Sequence, residues 1–110
     1  MNFAQEQCRE GAPAMLPDDV LAALPQVPGW GIEGHHLASV FKFHDFHETM
    51  AFVDALAPMI HAQDHHPVLT VSFRHCKLSY TTHSAGNTIS SKDFIAAAGA
   101  NTLYAAQVNA

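Results

Sequence analysis

The chain is poor in charge, in basic residues and in cysteine. Only 14% of its 110 residues are Asp, Glu, Lys or Arg, and five Lys and Arg stand against ten Asp and Glu. With no basic stretch and a formal net charge of −5, direct binding to nucleic acid is not expected. The two cysteines, Cys8 and Cys76, form no CxxC pair and are too few to make a disulfide framework. No apolar run approaches the roughly 18 residues that span a bilayer. The opening MNFAQEQCREGAPAM has neither the cationic start nor the apolar stretch of an export signal. These absences lead to the expectation of a reduced, cytoplasmic domain with no membrane partner.

What is present is apolar material and histidine. A hydrophobic share of 48% is enough for a packed core and argues against a disordered or fibrous chain. A mass of 11.9 kDa allows one domain. Nine histidines make the charge unusually sensitive to pH: protonating all nine moves it nine units, from −5 to +4.

Along the chain, residues 1–16 read as a flexible N-terminal arm, and 17–110 as a single domain. Pro17, Asp18 and Asp19 suit a helix start, where free N–H groups favour negative charge. Val20, Leu21 and Leu24 give that helix its apolar stripe, and Pro25 ends it. Residues 30–33 and 36–43 read as two strands of a hairpin turning at Gly34-His35. Asp45 is a candidate N-cap, with Glu48 three residues on. Phe46, Met50, Val53, Ala57 and Ile60 then recur at helical spacing and are expected to form the buried face. Pro58 should kink this helix or offset its last turn. Pro67 should end it before His65 and His66. Leu69, Val71 and Phe73, then Cys76, Leu78 and Tyr80, alternate with polar residues as two half-buried strands joined near Arg74-His75. Residues 84–91 are a polar loop. Ser90 or Ser91 can cap a last helix starting near Lys92, which Gly99 and Asn101 weaken. The order helix-strand-strand-helix-strand-strand-helix gives an α+β class: a two-layer domain with a four-stranded antiparallel sheet and helices on one face.

The densest chemistry is His61-Ala-Gln-Asp64-His65-His66-Pro67, followed by Thr81-Thr82-His83. Three readings stand. Imidazoles can act as general acid and base near neutral pH, each worth about 10²–10⁴ in rate. His61 and His65, at i,i+4, could join His83 in a three-histidine metal site, though no HExxH or cysteine pair supports one. Or the histidines are surface and structural residues, the commonest case for any single histidine. His35, His36, His44, His47 and His75 are read in that last way.

The set His61-x3-His65-His66-Pro67-x5-Phe73-x9-His83-x9-Asp93 resembles the signature of the pterin-4a-carbinolamine dehydratase family. Leu24-Pro25 before Gly29-Trp30, and Phe41-Lys42-Phe43 before Phe46, resemble its N-terminal half. The resemblance runs from about residue 16 to 104. It implies dehydration of a 4a-hydroxytetrahydropterin to quinonoid dihydropterin, which would recycle the cofactor of aromatic amino acid hydroxylases. It implies His65, His66 and His83 as catalytic residues, with His65 and His83 as acid and base and His66 mainly holding the pterin. His61, Asp64, Pro67, Phe73, Thr82 and Asp93 are implied as substrate-binding residues. The pterin is substrate, so neither a cofactor nor a metal is implied, and a homodimer or homotetramer is. Four positions depart from the commonest family pattern, His61 where an acid is frequent, Val68 and Leu69 after the proline, and Phe73 for a tyrosine, and the loop from His83 to Asp93 is one residue longer than in many members. The rival is a non-catalytic pterin-binding or oligomerisation protein of the same fold.

Asp64 could accept hydrogen bonds from pterin N–H groups or orient a neighbouring imidazole. Asp93 sits at a helix start, where the dipole alone favours an acid. Trp30 is expected in the core or an interface.

Overall fold

Residues 3–109 are described by the computed structural model, and positions 1, 2 and 110 of the expected arm and domain lie outside them. The expected element order is present. Helix α1 is Pro17–Ala23, strand β1 Gly31–Glu33 and strand β2 His36–Lys42. Helix α2 is Phe46–Gln63, strand β3 Val68–Val71, strand β4 His75–Tyr80 and helix α3 Ser91–Val108. The sheet is antiparallel throughout, in the order β1-β2-β4-β3.

One face of the sheet makes the core. Leu37, Ser39 and Phe41 of β2 lie opposite Tyr80, Leu78 and Cys76 of β4, and all six are buried. Helix α2 packs on β4, α3 on β2, and the two helices pack on each other. Their approach is close because α3 presents small residues there. A Cβ added at Gly99 would sit 3.4 Å from Met59 Cγ and Sδ, so glycine in mid-helix makes room for the α2 side chain. Helix α3 runs unbroken past Gly99 and Asn101, because this packing outweighs local propensity. Trp30 is buried, and its indole N–H donates to Asn101 Oδ1 at 2.9 Å.

Several expectations need correction. The buried face of α2 is Thr49, Phe52, Leu56 and Ile60, not the row beginning at Phe46 and Met50, which are 49% and 36% exposed. Two apolar rows of helical spacing overlap in this helix. The chosen row includes Thr49 because its hydroxyl donates to the Asp45 and Phe73 carbonyls, and burial then leaves no polar group unpaired. Strand β3 is exposed along its length. It is a sheet edge, and α2 sits over its neighbour β4. Phe73 is not in a strand at all: Ser72 N–H donates to the His75 carbonyl and closes a turn that holds Phe73 and Arg74. The second hairpin therefore turns before His75, which opens β4.

Helix α2 continues through Pro58. Its Asp45 cap accepts from Glu48 N–H at 2.8 Å. The described part of the N-terminal segment lies against the domain, with Phe3 buried and stacked on Phe94 at 5.2 Å.

Candidate active site

The end of α2, the end of β4 and the start of α3 meet at one edge of the molecule. At the end of α2, Asp64 takes a left-handed conformation (φ 49, ψ 42), and its N–H donates to the His61 carbonyl. Aspartate tolerates this region better than most residues. The turn sends His65 back toward the sheet. Its ring stacks on Tyr80, centroids 5.3 Å apart and planes 17° apart, and only 7% of the residue is exposed.

Behind His65 lies Asp93, fully buried. His65 Nε2 stands 2.6 Å from Asp93 Oδ1. Thr82 Oγ1 and Ser90 N–H donate to Asp93 Oδ2 at 2.8 and 2.9 Å. Ser90 Oγ lies 2.6 Å from Thr82 Oγ1 and accepts from Lys92 N–H. With Thr82 donating to the carboxylate, Ser90 must donate to Thr82, and every donor in the chain points toward Asp93. An ionised carboxylate accepts all of them. His65 then donates from Nε2, and its Nδ1 has no hydrogen-bond partner among the described residues. Ser90 and Asp93 also form the capping box of α3, so one carboxylate both starts a helix and orients a histidine.

His83 lies beyond the strand. Strand β4 stops at Tyr80, and His83 opens a 3-10 turn, His83–Ala85. Its Nδ1 lies 2.7 Å from Asn87 Oδ1, and its Nε2 has no hydrogen-bond partner among the described residues. Asn87, at φ 58, takes the left-handed conformation that brings its amide back to the ring.

Between these groups is a cleft of about 290 Å³, lined by Asp64, His65, His66, Thr81, Thr82, His83, Ser84 and Lys92. Five expected site residues therefore share one cleft. Asp93 reaches it only through His65. Pro67 is half-buried and steers the chain from His66 into β3. His61 is exposed on the last turn of α2 and does not line the cleft. Phe73 sits at the opposite end of the second hairpin. Among the described residues no three His, Cys, Asp or Glu side chains gather as a metal site would require. Sequence reasoning missed Thr81, Ser84 and Lys92 in the lining, and Tyr80, Asn87 and Ser90 as partners of the histidines and Asp93. Each is within four residues of a residue that was singled out, which was the available signal. Burial pushes the Tyr80 phenol well above its ordinary range, so it stays protonated behind His65.

The profile of the pterin 4 alpha carbinolamine dehydratase family matches residues 13–103. A protein of Nitrosospira multiformis, provisionally named a pterin-4-alpha-carbinolamine dehydratase, is 39% identical over 106 residues, covering 94% of this chain and 93% of that protein. One of Xanthomonas oryzae pv. oryzae, under the same provisional name, is 43% identical over 99 residues, covering 87% and 83%. Among solved structures, the transcriptional coactivator/pterin dehydratase of Brucella melitensis is similar with a TM-score of 0.76 at 25% identity, covering 82% of this chain and 97% of that one. A family profile that matches residues 13–103, with relatives 39% and 43% identical over most of both chains, places this chain in the pterin 4 alpha carbinolamine dehydratase family.

Proposed function

We propose that this chain dehydrates a 4a-hydroxytetrahydropterin to quinonoid dihydropterin by imidazole acid–base chemistry, with the pterin as substrate. The observation that carries the proposal is that His65 and His83 line one cleft, each with one ring nitrogen held, Nε2 by Asp93 and Nδ1 by Asn87, and with no hydrogen-bond partner for the other among the described residues. In the reaction the C4a–O bond breaks with its electron pair, and the oxygen takes a proton and leaves as water. The N5 lone pair forms the C4a=N5 bond, and the N5 proton passes to the second imidazole. One protonated and one neutral imidazole supply both transfers, each worth about 10²–10⁴ in rate. A bell-shaped pH–rate curve is expected.

His66 and Asp64, both on the cleft, would hold the pterin, Asp64 as acceptor for its amino and ring N–H groups. Thr82 and Asp93 act behind His65 as positioning residues. An aromatic amino acid hydroxylase in the same cytoplasm would supply the substrate. The exposed edge strand β3, with Val68 63% exposed, and the exposed Phe73 in the turn after it support pairing with a second copy.

The test is the dehydration rate of freshly generated 4a-hydroxytetrahydropterin, followed by ultraviolet absorbance with EDTA present. Acceleration that survives EDTA and falls at least about tenfold in His83→Ala is expected. No acceleration over the uncatalysed rate would overturn the reading and leave a binding or assembly role for the fold.

A further inference from the structure

The contacts of the N-terminal segment converge on the neighbours of two residues. Cys8 N–H donates to Gln63 Oε1 at 2.7 Å, two positions before His65. The Cys8 thiol donates to the Lys92 carbonyl at 3.5 Å, one position before Asp93. Burial pushes that thiol up to about 11, so it is a protonated donor at neutral pH. Phe3 stacks on Phe94, one position after Asp93. Met15 N–H donates to the Ile89 carbonyl, and Ala14 bridges to Ser90, whose own N–H holds Asp93. Each of these contacts falls within four residues of His65 or Asp93, and the segment links the end of α2 to the start of α3. The family match begins at residue 13, after Phe3 and Cys8.

The arrangement matters because the His65–Asp93 bond is the buried contact joining those two elements at the cleft, and Gln63 is the last residue of α2 before the left-handed turn. If Gln63 shifts, His65 shifts with it. A one-residue hinge at Asp64 leaves little to absorb the movement.

We propose that residues 3–12 are a positioning strap: by tying Gln63 to the start of α3 they hold His65 on Asp93 and fix the ring nitrogen it offers to the cleft. The proposal rests on the dehydratase reading only for its effect on rate.

The test uses the full chain labelled with ¹⁵N and follows solvent exchange of the His65 Nε2 proton by NMR. Phe3→Ala removes the stacked anchor, and Gln63→Leu removes the acceptor at a half-buried position where unfolding is not a concern. Both should speed that exchange about tenfold or more, while the Phe41 and Leu78 backbone amides keep their native protection. Gln63→Glu keeps an acceptor and should stay near the native rate. In the dehydration assay both disruptive variants should lower kcat about tenfold with KM within about twofold. Unchanged His65 exchange in a variant whose Cys8 amide has lost protection would overturn the strap. A chain showing the exchange effect but no dehydration would support the strap and overturn the reaction instead.

Discussion

Asp93→Asn tests the central contact of the site. The substitution keeps the shape of the side chain and removes its charge. Asp93 now accepts three hydrogen bonds, one on Oδ1 and two on Oδ2. An asparagine has one oxygen, and it must face Thr82 and Ser90, because the Ser90 amide can only donate. The NH₂ group then faces His65 Nε2, where the aspartate presented an acceptor. Two donors cannot share that contact, so the His65 proton must move to Nδ1. The cleft would then meet an N–H in place of a lone pair, and an imidazolium formed at His65 would lose its neighbouring carboxylate.

The expected stability loss is moderate. A hydrogen bond to a charged group is worth about 1.5–3 kcal/mol against about 1 kcal/mol for a neutral one. Weakening two such bonds and rearranging the third costs about 3 kcal/mol, and removing a buried charge returns part of it, for a net loss of about 2 kcal/mol. That would lower Tm by about 10 °C and leave a folded protein. The kinetic loss should be larger, about 10²–10⁴ in kcat, because acid–base transfer through His65 is disabled. Dehydration kinetics and the ¹⁵N shifts of the His65 ring are the two assays. A variant with kcat within about threefold of native and its His65 proton still on Nε2 would refute the reasoning.

Two further outcomes follow from burial. Burial moves the Cys76 thiol from 9.0 to about 11, so it stays protonated in the fold while the unfolded chain ionises. The stability this confers is complete below pH 9.0 and is lost as pH rises toward 11, and Cys76→Ala should flatten that part of the fall in urea midpoints. The Tyr80 hydroxyl is buried with no hydrogen-bond partner among the described residues, so Tyr80→Phe should raise stability by about 1 kcal/mol in urea unfolding while keeping the stack on His65.

The parts of the fold legible in the sequence were those with local causes. Pro17, the Asp45 cap, the Gly34 turn and the Ser90 cap each act within one turn of chain, and each marks a real boundary. Strand β4 was legible because it is central and covered by α2 on one side only, so alternation records its burial faithfully. Strand β3 alternates as well, but its position at the edge and the seat of α2 over β4 are decided by tertiary packing. The same holds for the face of α2. Its apolar residues allow two rows, and a threonine with satisfied hydrogen bonds belongs to the one that is buried.

For the site, the sequence singled out five residues that line the cleft but not how hydrogen bonds run around them. His65, His66, His83 and Asp64 were legible because they flank the ends of elements that the sheet order brings together. Asp93 was ambiguous in the sequence, since a helix start explains an acid by itself. The structure buries it away from the cleft, where it both caps α3 and holds His65, and hydrogen-bond direction links the two contacts. Lys92 N–H donates to Ser90 Oγ, Ser90 to Thr82 and Thr82 to Asp93, while Ser90 N–H and His65 donate to the same carboxylate. Reversing any one member strands a buried donor or acceptor. The first turn of α3 therefore sets the tautomer of a histidine 28 positions earlier in the chain. Whatever loosens that turn, from Ser90 or from the strap across it, acts on the cleft through His65.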